Sequence, residues 1–292
     1  MRPKLSAVRL GTRGMPSSSL VPWPSEWANT KKMKWYFGLA WIGFLALVSF
    51  VGAAVMATGE SPGSAKYLLI FGLLFVTIMV VGFDSRVRLR KGGGGKISAA
   101  TDSQGRPATN VPYSRIAFAG SSLLMALLVA IFAAATYDFA SSVGTGESKA
   151  PLGAAVVFGA IGLFFATYFV QIARKRIARG HLLLTPHGLE HRSWGYESQL
   201  PWNSVMHVSA LNGDGPEVWI RGSDNHFARR RTAKLWGGKP PRAAGLALQG
   251  KSLGVDPALV YYMISYYLAQ PSARAELGTE AAIRRAQAGS YF

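Results

Sequence analysis

An unbroken apolar run occupies residues 35–57, with the sequence WYFGLAWIGFLALVSFVGAAVMA and no charged side chain. Because a helix rises about 1.5 Å per residue, about 20 such residues cross a hydrocarbon core of about 30 Å. Three further runs have the same character, at 67–83, 116–137 and 151–172. The sequence therefore predicts a membrane protein whose transmembrane region, residues 35–172, is all-α and contains four spanning helices.

The connections between these runs predict how the helices are paired and oriented. Residues 58–66 and 138–150 are short, so we expect two antiparallel helical hairpins. Seven Lys and Arg residues precede the first span and seven lie in 84–115, whereas each short connection holds one. Since positively charged loops stay on the cytoplasmic side, both the N- and the C-terminus are predicted to be cytoplasmic.

The charge of the chain points to a lipid surface as its partner. The formal net charge is +18, and the excess lies in the predicted cytoplasmic segments. Anionic headgroups attract Lys and Arg near the surface by about 1 kcal/mol each, so we expect anionic phospholipids and no nucleic acid as partners. The chain has no cysteine, which excludes disulfides, thiolate metal sites and thiol nucleophiles.

Two segments outside the spans are predicted to lack regular structure. Residues 1–34 are rich in Ser, Pro and Arg and predict a disordered basic arm, in which the start codon could be Met1, Met15 or Met33. Residues 84–115 contain four glycines between Lys91 and Lys96 without the Gly-Lys-Ser/Thr ending of a phosphate-binding loop. This pattern predicts a flexible cytoplasmic loop.

Small residues recur along one face of the third span and one face of the fourth. Such stripes let helix backbones approach closely, so we expect the second hairpin to pack on itself or on a partner. The candidate packing residues are Ser122, Ala126, Ala130, Ala134, Ala155, Gly159, Gly162 and Ala166. No Asp, Glu, Lys, Arg or His lies inside the four runs, which argues against an ion or proton pathway.

After the fourth span the sequence changes to short stretches of alternating apolar and polar residues separated by turn signals. Candidate strands occupy 181–185, 189–193, 196–200, 205–211 and 217–221. Asp256 followed by Pro257 predicts the start of a helix that Pro271 ends, and a last helix is predicted over 279–288. Residues 178–292 are therefore predicted to form a small α+β cytoplasmic domain.

Two short motifs in this region carry a family resemblance. LTPHGL at 184–189 and LPWNSV at 200–205 resemble the opening strands of bacterial PH-like domains. The Asp256-Pro257 pair with residues 273–285 is similar to the C-terminal tail of actinobacterial four-span membrane proteins that carry this domain. The resemblance implies a PH-like domain with C-terminal helices, a location in the bacterial plasma (inner) membrane, and no catalytic residues or cofactor.

The densest basic cluster in the domain is the candidate binding site. It consists of Arg229, Arg230, Arg231 and Lys234, which could bind a lipid headgroup or an acidic partner, or could be a solvated surface. The five histidines lack the spacing of a metal motif, and no nucleophile lies in a recognisable catalytic pattern. We therefore predict neither an enzyme nor a metal site.

Three functional hypotheses follow from these features. The first is a non-catalytic accessory or scaffolding subunit that docks on other integral membrane proteins of a larger plasma-membrane complex, for example an Mce-type lipid importer or a respiratory assembly. The alternative is a membrane-surface sensor or regulator that binds anionic lipid headgroups. A small transporter is the third, and it would require a polar cavity between the hairpins.

Overall fold

The structure is a computed structural model that describes residues 20–28, 33–59, 62–88, 93–142, 150–223 and 227–291. It contains four helices that are long and apolar enough to cross a membrane, as is typical of a multi-pass membrane protein. They are α1 (Met33–Thr58), α2 (Pro62–Gly82), α3 (Arg115–Ser142) and α4 (Ala150–Ala173). The four predicted spanning helices are confirmed.

Each of these helices packs mainly on its neighbour in the chain. Contacts join α1 to α2, α2 to α3 and α3 to α4, whereas α1 and α4 make no comparable contact within the described residues. The four helices therefore form an open row, and most of their side chains face the surroundings.

The small-residue stripes lie largely where α3 meets α4. A Cβ atom added to Gly162 would lie 3.2 Å from Phe132 Cβ, and the hydroxyl groups of Ser122 and Tyr168 are 3.1 Å apart. Of the other stripe residues, Ala155 is buried and Ala130 is exposed. Those that are partly buried are Ala126, Ala134, Gly159 and Ala166. The stripe thus supports packing within the second hairpin.

The segment between α2 and α3 differs from the predicted flexible loop. The last turn of α2, Phe83–Val87, is π-helical, and the amide of Arg88 donates to the Phe83 carbonyl over 2.9 Å. Two strands follow, β1 (Ser98–Thr101) and β2 (Pro107–Pro112). They are hard to predict because β2 contains two prolines and is held by pairing with a strand distant in sequence.

The C-terminal part is rich in antiparallel sheet, as predicted. One sheet has the strand order β1-β2-β3-β4-β5-β8 and the other the order β6-β7-β9. The strands are β3 (His181–Leu184), β4 (Gly188–Arg192), β5 (Tyr196–Pro201), β6 (Val205–Gly213), β7 (Gly215–Gly222), β8 (Ala228–Arg231) and β9 (Gly245–Gln249). Two helices complete it, α5 (Pro257–Ala269) and α6 (Glu280–Ala288).

A hydrophobic core joins these sheets and α5. The apolar face of α5 is fully buried against strands that alternate between inward apolar and outward polar residues. Asp256 caps α5 by accepting a hydrogen bond from the Ala258 amide over 2.9 Å, as predicted. Trp202 is buried and its indole Nε1 donates to the Thr185 carbonyl over 2.7 Å, so the two resemblance motifs contact each other.

Part of the predicted disordered arm belongs to this core. Residues 20–28 are ordered, with a short 3₁₀ turn at Ser25–Trp27. Trp27 is fully buried, and its Nε1 donates to the Leu211 carbonyl over 2.7 Å. The structure therefore differs from the prediction over 20–28 and at residues 33 and 34, which open α1, while 1–19 and 29–32 lie outside the described residues.

Candidate functional site at the membrane face

A tight turn connects α4 directly to the sheet-rich part. Lys175 has a positive φ of 55°, a left-handed conformation that ends the helix, and its amide donates to the Ile172 carbonyl over 2.8 Å. Ile177 follows and is buried beside Tyr168 of α4. The chain therefore turns back against the end of the helix, and the basic residues that follow α4 stay close to the first sheet.

A loop of the C-terminal part lies against α4 within its spanning segment. The ring of Trp236 is 5.0 Å from that of Phe164, and its Nε1 donates to the Thr167 hydroxyl over 3.1 Å. Phe164 lies nine residues before the end of α4, about 13 Å along the helix axis. The neighbouring Leu235 is 48 % exposed. Residues 233–238, here called the Trp236 loop, therefore lie beside the last turns of α4.

The backbone conformation of Trp236 indicates that the contact of its ring with α4 is a defined feature of the fold. Its φ is +66°, a left-handed conformation that is uncommon for a bulky residue. Ring contacts with Phe165 and Tyr168 accompany the contact with Phe164. Indole rings favour the boundary between headgroups and acyl chains, so this position suits an interfacial anchor.

Basic side chains from the segment after α4 and from two strands surround a shallow cavity of about 430 Å³ next to this loop. The set, here called the juxtamembrane patch, comprises Arg174, Lys175, Arg176, Arg192, Arg230 and Arg231. Its one carboxylate, Glu197, forms ion pairs with Arg192 at 3.2 Å and with Arg230 at 2.9 Å. Six cations around one carboxylate leave a strong positive excess, which favours an anionic ligand.

Hydrogen bonds to backbone carbonyl groups hold this patch together. Arg192 Nη2 donates to the Lys175 carbonyl over 2.8 Å, and the Thr232 hydroxyl donates to the Arg176 carbonyl over 2.8 Å. Each bond joins the segment after α4 to the end of a strand of the first sheet, β4 in one case and β8 in the other. The patch is therefore assembled from three parts of the chain whose relative positions are fixed.

The predicted cluster divides between this patch and the interior. Arg230 and Arg231 line the cavity, and the Arg230 side chain is 78 % exposed. Arg229 points inward, where it donates to the carbonyls of Pro241 and Gly245 and lies over the Phe227 ring. Burial lowers the pKa of the Arg229 guanidinium. Arg229 is partly buried and does not line the cavity, so the structure does not bring it together with Arg230 and Arg231.

Lys234 of the predicted cluster lies outside the cavity, and four residues of the patch were not predicted. Lys234 is exposed in the Trp236 loop, and its carbonyl accepts from Arg231 Nη2 over 2.7 Å. The residues that sequence reasoning missed are Arg174, Lys175, Arg176 and Arg192. The first three were visible as a basic cluster after the last span, but only the fold brings them to Arg230 and Arg231.

A second contact joins the sheet-rich part to α2. Arg86, in the π-helical turn of α2, forms a bidentate ion pair with Asp214 at the tip of the β6–β7 hairpin, at 2.6 and 2.7 Å. Lys251 binds the same carboxylate over 2.8 Å. These two cations hold the pKa of Asp214 well below its usual range. The sheet-rich part is thus attached both to α2 and to α4.

The described residues offer little for metal chemistry. No group of three or more His, Asp or Glu side chains in the described ranges is placed to hold a metal ion. His191 is buried, with its Nε2 atom 2.6 Å from the Tyr113 hydroxyl, and it packs between aromatic rings. What the arrangement can do chemically is bind anions through guanidinium groups at the membrane boundary.

Comparison with known proteins assigns no family to the chain. No protein-family model, no curated protein and no solved structure matches it. The function is therefore inferred from the geometry of the membrane face.

Proposed function

We propose that this chain is a non-catalytic protein of the bacterial plasma membrane whose C-terminal part binds anionic phospholipid headgroups on the cytoplasmic side. The observation that carries the proposal is the position of the Trp236 loop against α4, directly beside the juxtamembrane patch. A loop at this depth brings the patch to the level of the headgroups. The excess of Lys and Arg in the same segments supports a cytoplasmic orientation of this face and of both termini.

Within this proposal the C-terminal part is a PH-like domain. Two antiparallel sheets are followed by a helix, α5, that packs on β6 and β7. The motif residues Thr185 and Trp202 form a hydrogen bond in the core. Such an arrangement supports a membrane-surface module in which loops and edges, rather than a catalytic cleft, carry the function.

The proposal predicts that removing two patch charges weakens the preference for anionic lipid. We would reconstitute the full chain and the Arg230→Gln/Arg231→Gln variant into nanodiscs of phosphatidylcholine with a minor fraction of phosphatidylglycerol. The readout is the enrichment of phosphatidylglycerol around the protein. Because each cation near the surface contributes about 1 kcal/mol, loss of two is expected to reduce the selectivity about tenfold or more at low salt.

A matched control separates this effect from the change in net charge. The Arg221→Gln/Arg284→Gln variant loses the same charge at exposed positions outside the patch. It should keep the selectivity of the unaltered chain. Equal selectivity for the patch variant and the unaltered chain would contradict headgroup binding at this site.

The open row of helices favours a second candidate function, an accessory subunit that docks on other integral membrane proteins. On α4, Leu163 is 72 % exposed and Val156 is 65 % exposed, and α1 lies at the other end of the row. Both end helices present apolar surface that another helix could cover. Purification from native membranes in mild detergent should then yield the chain with stoichiometric partners, and a chain that runs alone would refute this candidate.

A further inference from the structure

A second basic cavity, separate from the juxtamembrane patch, lies where α2 ends and α3 begins. Its volume is about 420 Å³. Four of its lining residues are basic, and they come from the end of α2, the segment before β1, the start of α3 and the segment after α4. These residues are Arg88, Lys96, Arg115 and Arg179. The cavity therefore gathers cations from four separate parts of the chain.

Most of these cations have no partner among the described residues. The guanidinium groups of Arg88, Arg115 and Arg179 form no hydrogen bond or ion pair with any described residue, and Lys96 Nζ donates only to the Gly254 carbonyl, over 3.1 Å. The one acidic residue of the lining, Asp84, is buried and accepts a hydrogen bond from the Ser114 hydroxyl over 2.7 Å. Four cations beside a single carboxylate leave a positive excess whose like charges repel each other, so this arrangement favours a bound anion.

The start of α3 adds to the positive potential. Ser114 caps this helix, because its hydroxyl accepts from the Ala117 amide over 3.2 Å. Arg115 and Ile116, the first two residues of α3, line the cavity. The N-terminus of a long helix carries a partial positive charge, which stabilises a phosphate or carboxylate placed there.

An apolar groove adjoins this cavity on the side of the spanning helices. It has a volume of about 550 Å³ and is formed by the first turns of α1 and the last turns of α2. Its apolar lining consists of Tyr36, Leu39, Ala40, Gly43, Met79, Val80 and Phe83. Asp84, Arg88 and Ile116 belong to the walls of both spaces. The two spaces therefore form one site with a cationic end and an apolar end.

We propose that this site binds one anionic glycerophospholipid of the cytoplasmic leaflet. Its phosphate lies among Arg88, Arg115 and Arg179, and one acyl chain lies in the groove between α1 and α2. A phospholipid has this same division between a negative headgroup and an apolar chain, whereas a soluble phosphate would leave the groove uncovered. The inference rests on the proposed function only for the cytoplasmic orientation of this end of the helices.

Native mass spectrometry of the full chain tests the headgroup half of the proposal. After exchange into a charge-neutral detergent and titration with phosphatidylglycerol, we expect one tightly bound lipid per chain. The Arg88→Gln/Arg115→Gln/Arg179→Gln variant should bind it at least tenfold more weakly. The Arg221→Gln/Arg242→Gln/Arg284→Gln variant, with the same loss of charge outside the cavity, should bind it as the unaltered chain does.

Filling the groove with a larger side chain tests whether it holds an acyl chain. Ala40→Phe fills the groove and leaves every charge in place, whereas Ala54→Phe adds the same ring to an exposed position of α1 outside it. Ala40→Phe should weaken phosphatidylglycerol binding at least tenfold and leave binding of glycerol 3-phosphate unchanged. Ala54→Phe should change neither.

Two results would overturn the proposal. One is retention of the lipid by the Arg88/Arg115/Arg179 variant. The other is unchanged lipid binding by Ala40→Phe, which would show that the headgroup alone is bound and that the groove holds no acyl chain. The Arg230→Gln/Arg231→Gln variant separates the two proposals, because it should lose the general preference for anionic lipid and still retain the single bound molecule.

Discussion

At the scale of single residues, a buried histidine links the stability of the C-terminal part to pH. Burial lowers the pKa of His191 to about 3, and the nearby cations His181 and Arg229 add to this effect. The neutral ring therefore persists in the folded chain, whereas the unfolded chain takes up a proton near pH 6.5. Since the unfolded state binds more protons below that value, stability falls as the pH decreases, by about 1.4 kcal/mol per unit.

We therefore predict that His191→Gln flattens this dependence. Glutamine can still hydrogen-bond the Tyr113 hydroxyl but does not titrate. Between pH 7.5 and pH 5 the unaltered chain should lose about 2 kcal/mol more unfolding free energy than the variant. Chemical denaturation followed by tryptophan fluorescence measures the difference. Parallel pH profiles for the two chains would show that His191 is not the group responsible. His181 is also half-buried with a pKa lowered by burial, but it is present in both chains and so does not affect their difference.

Single residues also mark the limit of what the sequence predicts about the site. Arg229, Arg230 and Arg231 are indistinguishable as a basic run, yet in the structure they occupy successive positions of a strand. Alternate side chains of a strand point to opposite faces, so Arg229 turns toward the Pro241 and Gly245 carbonyls while Arg230 is exposed. Arg231, the last residue of the strand, is also exposed and donates to the Ala233 and Lys234 carbonyls of the segment that follows. A strand assignment for this basic segment would have separated Arg229 from Arg230 but not from Arg231, and the composition of the segment does not indicate a strand.

At the scale of elements, the spanning helices and most C-terminal strands could be predicted because their signals are local. A long apolar run or a two-residue alternation is visible in a short window. The β1–β2 hairpin could not be predicted, since its place in the sheet depends on Val111 pairing with Leu182, far away in the chain. The same holds for residues 20–28, whose Trp27 is buried against β6 and the Tyr261 ring of α5, both far away in the chain.

The segment 20–28 gives a prediction at this scale. Deleting residues 1–28 removes Trp27 from the core and should lower the unfolding free energy by about 3–5 kcal/mol, the usual cost of removing a buried tryptophan side chain. Deleting residues 1–19 should have little effect, which makes it the matched control. Thermal unfolding in detergent measures both. Equal midpoints for the two deletions would contradict a structural role for this segment.

At the scale of the whole molecule, the sheet-rich part is fixed to the ends of the spanning helices by two separate contacts. Arg86 binds Asp214 at α2, and the Trp236 loop packs on α4. Both candidate lipid sites lie in this junction: the juxtamembrane patch beside α4, and the cavity between α2 and α3. A junction held at two points fixes both sites relative to the ends of the spanning helices, and in the proposed function this places them at the level of the headgroups.

The depth of the Trp236 loop tests this account most directly. Because the chain has no cysteine, Leu235→Cys gives a single site for a spin label, with Arg284→Cys as an exposed comparison. In liposomes, collision rates with oxygen and with a water-soluble nickel complex report the depth of each label. We predict that the label at position 235 is reached by oxygen and shielded from nickel, whereas that at position 284 is open to nickel. Equal nickel accessibility at the two positions would contradict the placement of the loop in the membrane.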